Sequence, residues 1–314
     1  MAFSDNAKAV IALTTRLGDG SRPSLSPTRW HQFSTALADA GLRLAEVFAP
    51  DFDPALPGVP DDLANFVHEL LRTAPAATVA AADLENKGIW TLTLADVDYP
   101  TVLSDRLGKL APPVIFGVGP TPTLMRRGIA IVGSRNVSEE GAKVAADFAR
   151  AAVEAGHTVV SGGGRGVDQF ALNAAFSSGG RVVAMIADSL QARIRSPDIL
   201  RALDSGNTTL VSQEAPEAPL RPESAKARNK LIYAMSEVTV VIASGVDSGE
   251  SWSGAAEALR ARNGVVAVWL GPGEGPGNAR LVELGAVAMR SPDDLLGYLD
   301  ANTSIPEQLS LPHA

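Results

Sequence analysis

Two hydrophobic rhythms divide the chain. Up to about residue 88 the apolar positions recur at helical spacing, as Trp30, Phe33 and Leu37 and again as Leu63, Phe66, Val67, Leu70 and Leu71. Ser26-Pro27 supplies an N-cap with proline at the first helical position, Gly41 stops that run, and a second helix follows Pro60. A Pro/Asp-rich connection from Pro50 to Pro60 separates them. The pattern predicts a small all-helical module of three to five short helices over residues 1–88.

From Gly128 the rhythm changes. Short β-branched runs at Ile129–Val132, Thr158–Val160, Arg181–Ile186, Thr208–Val211, Val238–Ala243, Val265–Leu270 and Ala286–Met289 alternate with segments of helical spacing such as Val144, Phe148, Ala151, Ala152 and Ala155. Apolar strands without polar alternation, separated by helices, predict a mostly parallel sheet covered on both faces, a doubly wound α/β fold. Leu92–Leu107 and Pro112–Gly119 are expected to extend that sheet, with Gly117–Pro122 as a loop. The organisation read from the chain is a helical module at 1–88, an α/β domain at 89–301 and a loose tail at 302–314.

Composition narrows the chemistry. The 314 residues include no Cys, which excludes disulfides, thiolate metal sites, iron–sulfur clusters and a Cys nucleophile. No apolar run approaches the ~18 residues of a membrane helix, so the expectation is a soluble, cytoplasmic protein without a membrane partner. The net charge is −8, with 7 basic and 11 acidic residues before Thr91 and 20 and 24 from there on. Neither part is a basic block, so an anionic ligand has to be held by a local cluster of Arg and Lys.

Open parallel sheets bind ligands at the carboxyl ends of their strands. The first of these ends reads Gly133-Ser134-Arg135 and the second Gly162-Gly163-Gly164-Arg165-Gly166, followed by Asp168. Glycines permit close backbone approach and an anion-binding nest, and two guanidiniums at one rim suit phosphate. Gly-rich turns also serve as plain tight connections in such folds. Neither turn carries a G-x-G-x-x-G or G-x-x-x-x-G-K-[ST] pattern, so nicotinamide and P-loop chemistry are not expected.

Further along, Lys226, Arg228, Asn229 and Lys230 read as the opening of a helix that feeds a strand. They suit phosphate contact or an ordinary solvated helix face. Ser248-Gly249 begins a small-residue loop whose Trp252 could stack a base or fill the core, with Ser253 and Glu257 beyond it. Asp168 reads as a helix cap before a base. The four His residues are scattered, and no catalytic or metal-ligand set is expected.

In their order and spacing these segments resemble the DNA-processing protein A (DprA/Smf) family. The resemblance begins at Ile89-Trp90 and Tyr99-Pro100, continues through Pro112-Pro113, Ile131–Arg135, Val160–Asp168, Gly179-Gly180-Arg181 and Arg228–Ile232, and ends at Gly277-Asn278 and Gly285-Ala286. It implies a Rossmann-like domain preceded by a small (SAM-like) helical module, in a divergent member without the C-terminal winged-helix domain. It further implies a nonenzymatic, usually dimeric protein that binds single-stranded DNA and assists recombination or natural transformation by protecting strands and loading a RecA-type recombinase.

Carried over, the expected DNA contacts are Ser134, Arg135, Gly162, Arg165, Arg228, Asn229 and Lys230, with Ser248 and Gly249 in the neighbouring loop. Where the family carries a Ser-Gly-Ser-Leu-like run, this chain reads Ser248-Gly249-Glu250-Ser251, which sets a carboxylate beside the expected phosphate pocket. The competing reading is a free-nucleotide sensor or a nucleoside phosphoribohydrolase-like enzyme in which Glu257 binds ribose or acts as the catalytic carboxylate.

Overall fold

The computed structural model describes residues 3–18, 22–126 and 128–303. The chain opens with helices α1 (Asp5–Thr14), α2 (Pro27–Asp39), α3 (Asp61–Arg72) and α4 (Ala74–Asn86). Strand β1 (Trp90–Thr93), helix α5 (Thr101–Leu107) and strand β2 (Val114–Val118) follow. Then come β3 (Gly128–Val132), α6 (Glu139–Glu154), β4 (Thr158–Ser161), α7 (Val167–Ser177) and β5 (Val182–Met185). The short helices α8 (Leu190–Arg193) and α9 (Pro197–Asp204) lead to β6 (Thr208–Ser212) and α10 (Pro222–Met235). The chain closes with β7 (Ser236–Val241), α11 (Gly249–Ala261), β8 (Val265–Trp269), α12 (Asn278–Glu283), β9 (Val287–Met289) and α13 (Pro292–Thr303).

These elements form two compact units, Met1–Arg126 with Val183–Met235 and Arg127–Val182 with Ser236–Ala314. In the first, the predicted helices appear where the caps place them: Ser26 Oγ accepts from Arg29 N at the start of α2, and α3 begins directly after Pro60. Arg22 ties this module together from inside. It is 5% exposed, and its guanidinium donates to the carbonyls of Ala12 and Thr15 at the end of α1 (2.5 and 2.8 Å) and of Leu70 in the last turn of α3 (2.9 Å). Its Nε donates to Thr73 Oγ1 at 2.7 Å. Helix C-termini leave carbonyls without intrahelical partners, and a cation there is favoured by the helix dipole.

The strands of the first unit run in the order β1-β2-β6-β5. β1 pairs antiparallel with β2, and β2 antiparallel with β6. The expected sheet extension over Leu92–Leu107 is shorter than the sequence suggested: strand ends at Thr93 and Thr101–Leu107 is helix α5. Asp96 closes the intervening turn by accepting from Thr93 N (2.7 Å) and Thr93 Oγ1 (2.8 Å), and Pro100 then lacks the N–H a ladder needs. Buried Tyr99 donates its hydroxyl to the Pro112 carbonyl at 2.6 Å, which joins the Tyr-Pro and Pro-Pro segments; burial pushes its phenol well above the ordinary tyrosine range.

The second unit carries β4-β3-β7-β8-β9, with β3–β4, β3–β7, β7–β8 and β8–β9 all parallel. Strands β3, β4, β7 and β8 are buried along almost their whole length, as the missing alternation predicts, while β9 at the edge buries only Met289. Ile129, Ile131, Val159, Val238, Val240 and Ile242 meet Phe148 of α6, Val167 of α7 and Leu295 of α13 in one core, where Phe148 and Trp269 stand edge to face. Helix α13 runs on to Thr303, past the Asn302 at which the tail was expected to begin; residues 304–314 of that tail lie outside the described residues. Among the described residues no helix is long and apolar enough to cross a membrane.

Candidate nucleic-acid interface

The turns that follow β3, β4, β7 and β8 gather at the carboxyl ends of the second unit's strands. Backbone pairing between β3 and β7 continues to their lips, where Ile242 N donates to Val132 O and Ser134 N to Ala243 O (3.0 and 2.9 Å). The turn after β4 lies directly against the turn after β3. Val167 N donates to Ser134 O, and a Cβ built on Gly166 would stand 2.3 Å from that same oxygen and 2.7 Å from Arg135 Cα. Gly166 also has φ +79°, so a side chain is excluded twice. The sequence expectation that two Gly/Arg turns share one rim therefore holds for Gly133–Arg135 and Gly162–Gly166.

Arg165 is exposed and makes no ion pair among the described residues. Arg135 reaches across to Glu250 in the first turn of α11, Nη2 to Oε2 at 2.8 Å, with both side chains partly open to solvent (54% and 39%). Asp168 turns back toward Gly164, its Oδ2 3.4 Å from where a Cβ would be. Ser134 Oγ accepts from Asn136 N, and Ser138 caps α6 through Gly141 N. Ser248 stands at the N-cap of α11 without a side-chain cap bond, and Gly249 follows it with φ +86°.

Asn278, the residue that holds the far side of this rim, was not among the candidates read from the sequence, although Gly277-Asn278 belongs to the resembling segments. It is fully buried. Its amide donates to Ile242 O and Trp269 O (both 2.8 Å), and its Oδ1 accepts from Ser244 N and Ser244 Oγ (both 2.9 Å). One side chain thus ties the ends of β7 and β8 to the loop that leads to Ser248. Gly277 lies backbone to backbone on Gly245, where a Cβ would fall 1.9 Å from a carbonyl oxygen.

Other candidates take different places. Trp252 is 7% exposed and packs inward on the face it shares with Ala255 and Ala258, so it does not offer a stacking surface. Ser253 Oγ donates back to Gly249 O (3.0 Å), within its own helix. Glu257 sits in the third turn of α11, inside the helix rather than at its start. In the first unit, α10 begins at Pro222, so Arg228, Asn229 and Lys230 lie in mid-helix and do not open it. Arg228 is 8% exposed; its Nη1 donates to Met185 O at 3.2 Å and its Nε to Asn229 Oδ1 at 3.1 Å, a role in holding the end of β5. Asn229 and Lys230 are half-buried. Among the described residues no three His, Asp or Glu side chains gather as a metal site.

A doubly wound α/β protein with glycine-lined turns and two arginines at the strand ends is one of the architectures that bind phosphate-bearing ligands. The model of the DNA recombination-mediator protein A family matches residues 90–300, and the chain belongs to that family.

Its relatives agree with this. The DNA processing protein DprA of Bacillus subtilis is 28% identical over 240 residues, 74% of this chain and 78% of that protein. A putative DprA of Mycobacterium tuberculosis is 30% identical over 204 residues, which is half of its length. Among solved structures, DprA from Streptococcus pneumoniae superposes with a TM-score of 0.70 at 20% identity, covering 95% of this chain and 98% of that one. A DprA structure from Helicobacter pylori, described for its single-stranded DNA binding mode, gives a TM-score of 0.57 at 23% identity over 68% of this chain and 96% of that one.

Proposed function

We propose that this protein binds single-stranded DNA without reading its sequence and serves recombination or natural transformation, as a binding protein and not an enzyme. The observation that supports the reading is the contact of the Gly162–Gly166 turn with the Ser134–Arg135 turn, which brings two glycine- and arginine-bearing turns side by side in an otherwise acidic chain. Guanidinium forks and backbone amides hold phosphate oxygens and carry no base information.

In this reading Ser134, Arg135, Gly162–Gly166, Ser248 and Gly249 touch phosphates in the second unit. In the first unit, Asn229 and Lys230 do so, while Arg228 positions them from within. Strand protection, loading of a RecA-type recombinase, a homodimeric state and a cytoplasmic setting complete the proposal, supported by family membership.

The test is fluorescence anisotropy with a labelled poly-dT oligomer across a salt series, beside a panel of mononucleotides. Micromolar or tighter strand binding that falls steeply with salt is expected. Tight mononucleotide binding or release of free base, with no strand binding, would instead favour a nucleotide-specific protein.

A further inference from the structure

The Arg135–Glu250 pair spans a particular place. β3 lies between β4 and β7; the chain leaves β3 through α6 for β4 on one side and leaves β7 through α11 for β8 on the other. Doubly wound sheets bind ligands at the carboxyl ends of the strands where this direction reverses. Here that position lies between β3 and β7, just beyond the last backbone bond from Ser134 to Ala243. Arg135 follows β3 and Glu250 follows β7, and their 2.8 Å contact spans it with the protein's own anion.

We propose that Glu250 is a resident counter-anion that occupies Arg135 in the empty protein and has to be displaced by ligand phosphate. The inference rests on the strand-binding reading and adds how the site selects its ligand. A carboxylate that stays repels the incoming phosphate; one that leaves must be rehydrated beside a bound anion. Either way Arg135 contributes little to a ligand with a single phosphate. A strand that engages Arg165 and the glycine turn at the same time displaces the carboxylate with contacts it already has. With both side chains partly exposed, the pair is weak enough to open: such pairs shift an equilibrium by about fivefold at most. Glu250 therefore sets a displacement cost that every phosphate ligand meets alike, and only a ligand with further contacts to Arg165 and the glycine turn has affinity to spare for it.

The test compares wild type, Glu250→Gln, Arg135→Ala and the double variant, reading poly-dT by anisotropy and dTMP by calorimetry. Removing the charge is expected to tighten both ligands about three- to fivefold at low salt, and the gain is expected to vanish when Arg135 is absent. Glu250→Asp, which withdraws the carboxylate by one methylene, is expected to release part of the gain and serves if the glutamine disturbs the helix start. Unchanged or weaker binding of both ligands in both Glu250 variants overturns the proposal. So does an equal gain without Arg135, which marks general repulsion. If wild type binds no strand but Glu250→Gln takes up dTMP in an Arg135-dependent way, the counter-anion stands and the strand-binding reading falls.

Discussion

Gly166 and Ser134 meet backbone to backbone: a Cβ on Gly166 would lie 2.3 Å from the Ser134 carbonyl oxygen, and the next residue's amide already donates to that oxygen at 3.2 Å. Two residues 32 positions apart in sequence join their turns into one surface through this contact. Gly166→Ala has no conformational escape, because φ +79° is unfavourable for alanine as well. The substitution is expected to cost about 2 kcal/mol or more in urea unfolding and to abolish poly-dT binding in anisotropy, whereas Gly179→Ala, which shares the positive φ (+70°) but has open space around it, is expected to lose some stability and keep binding.

Arg165 is exposed and makes no ion pair among the described residues, so its removal reads ligand contact directly. Arg165→Ala is expected to weaken binding about tenfold on every sequence tested, and to make the slope of log K against log salt shallower by about 0.7. Its melting temperature is expected to match wild type. A loss confined to particular sequences, or an unchanged salt slope, would speak against a phosphate contact.

Asn278 is the structural counterpart of that rim. Asn278→Asp keeps the shape but replaces two donors with an acceptor facing the carbonyls of Ile242 and Trp269. Burying an unsatisfied charge among acceptors is expected to cost about 3 kcal/mol or more, read as a lowered urea midpoint. Strand binding should fall with it, because Ser244 and the loop toward Ser248 lose their anchor.

Arg22 should behave as a structural cation with no part in binding. Arg22→Met removes the donors that serve Ala12, Thr15 and Leu70, of which, among the described residues, only the Leu70 carbonyl keeps other donors (Thr73 N and Oγ1), at an expected cost of about 3 kcal/mol. Lysine, with one ammonium in place of a planar fork, should recover only part of it. Poly-dT affinity of the folded variant is expected to be unchanged.

Tyr99 gives the chain an alkaline weakness. Its phenol is raised in the folded state by burial, so the unfolded chain releases this proton first as pH rises. Stability is fully present below about pH 10 and should then fall by up to about 1.4 kcal/mol per pH unit toward the raised folded value. Tyr99→Phe loses the bond to Pro112 O, about 1 kcal/mol at neutral pH, but should flatten the decline between pH 10 and 12 in urea titrations.

The sequence by itself determined the elements and their faces. Continuous β-branched runs such as Ile129–Val132 and Val238–Val241 have no polar alternation, so both faces had to be covered, and helices on two sides follow from that. Ser26-Pro27 and Pro60 fixed helix starts because capping is a local matter of a few residues. Which charges are spare was not legible there. Arg165 and Arg228 are the same residue type in comparable glycine- or cation-rich settings, yet one stands in solvent and the other is buried against Met185, because burial depends on what the rest of the chain brings alongside. The tertiary structure alone decided that Glu250 faces Arg135 across 115 positions, and that an asparagine 34 positions past Ser244 anchors the rim. Periodicity records only the face on which a residue lies; the partner it meets is set by the order in which the strands assemble.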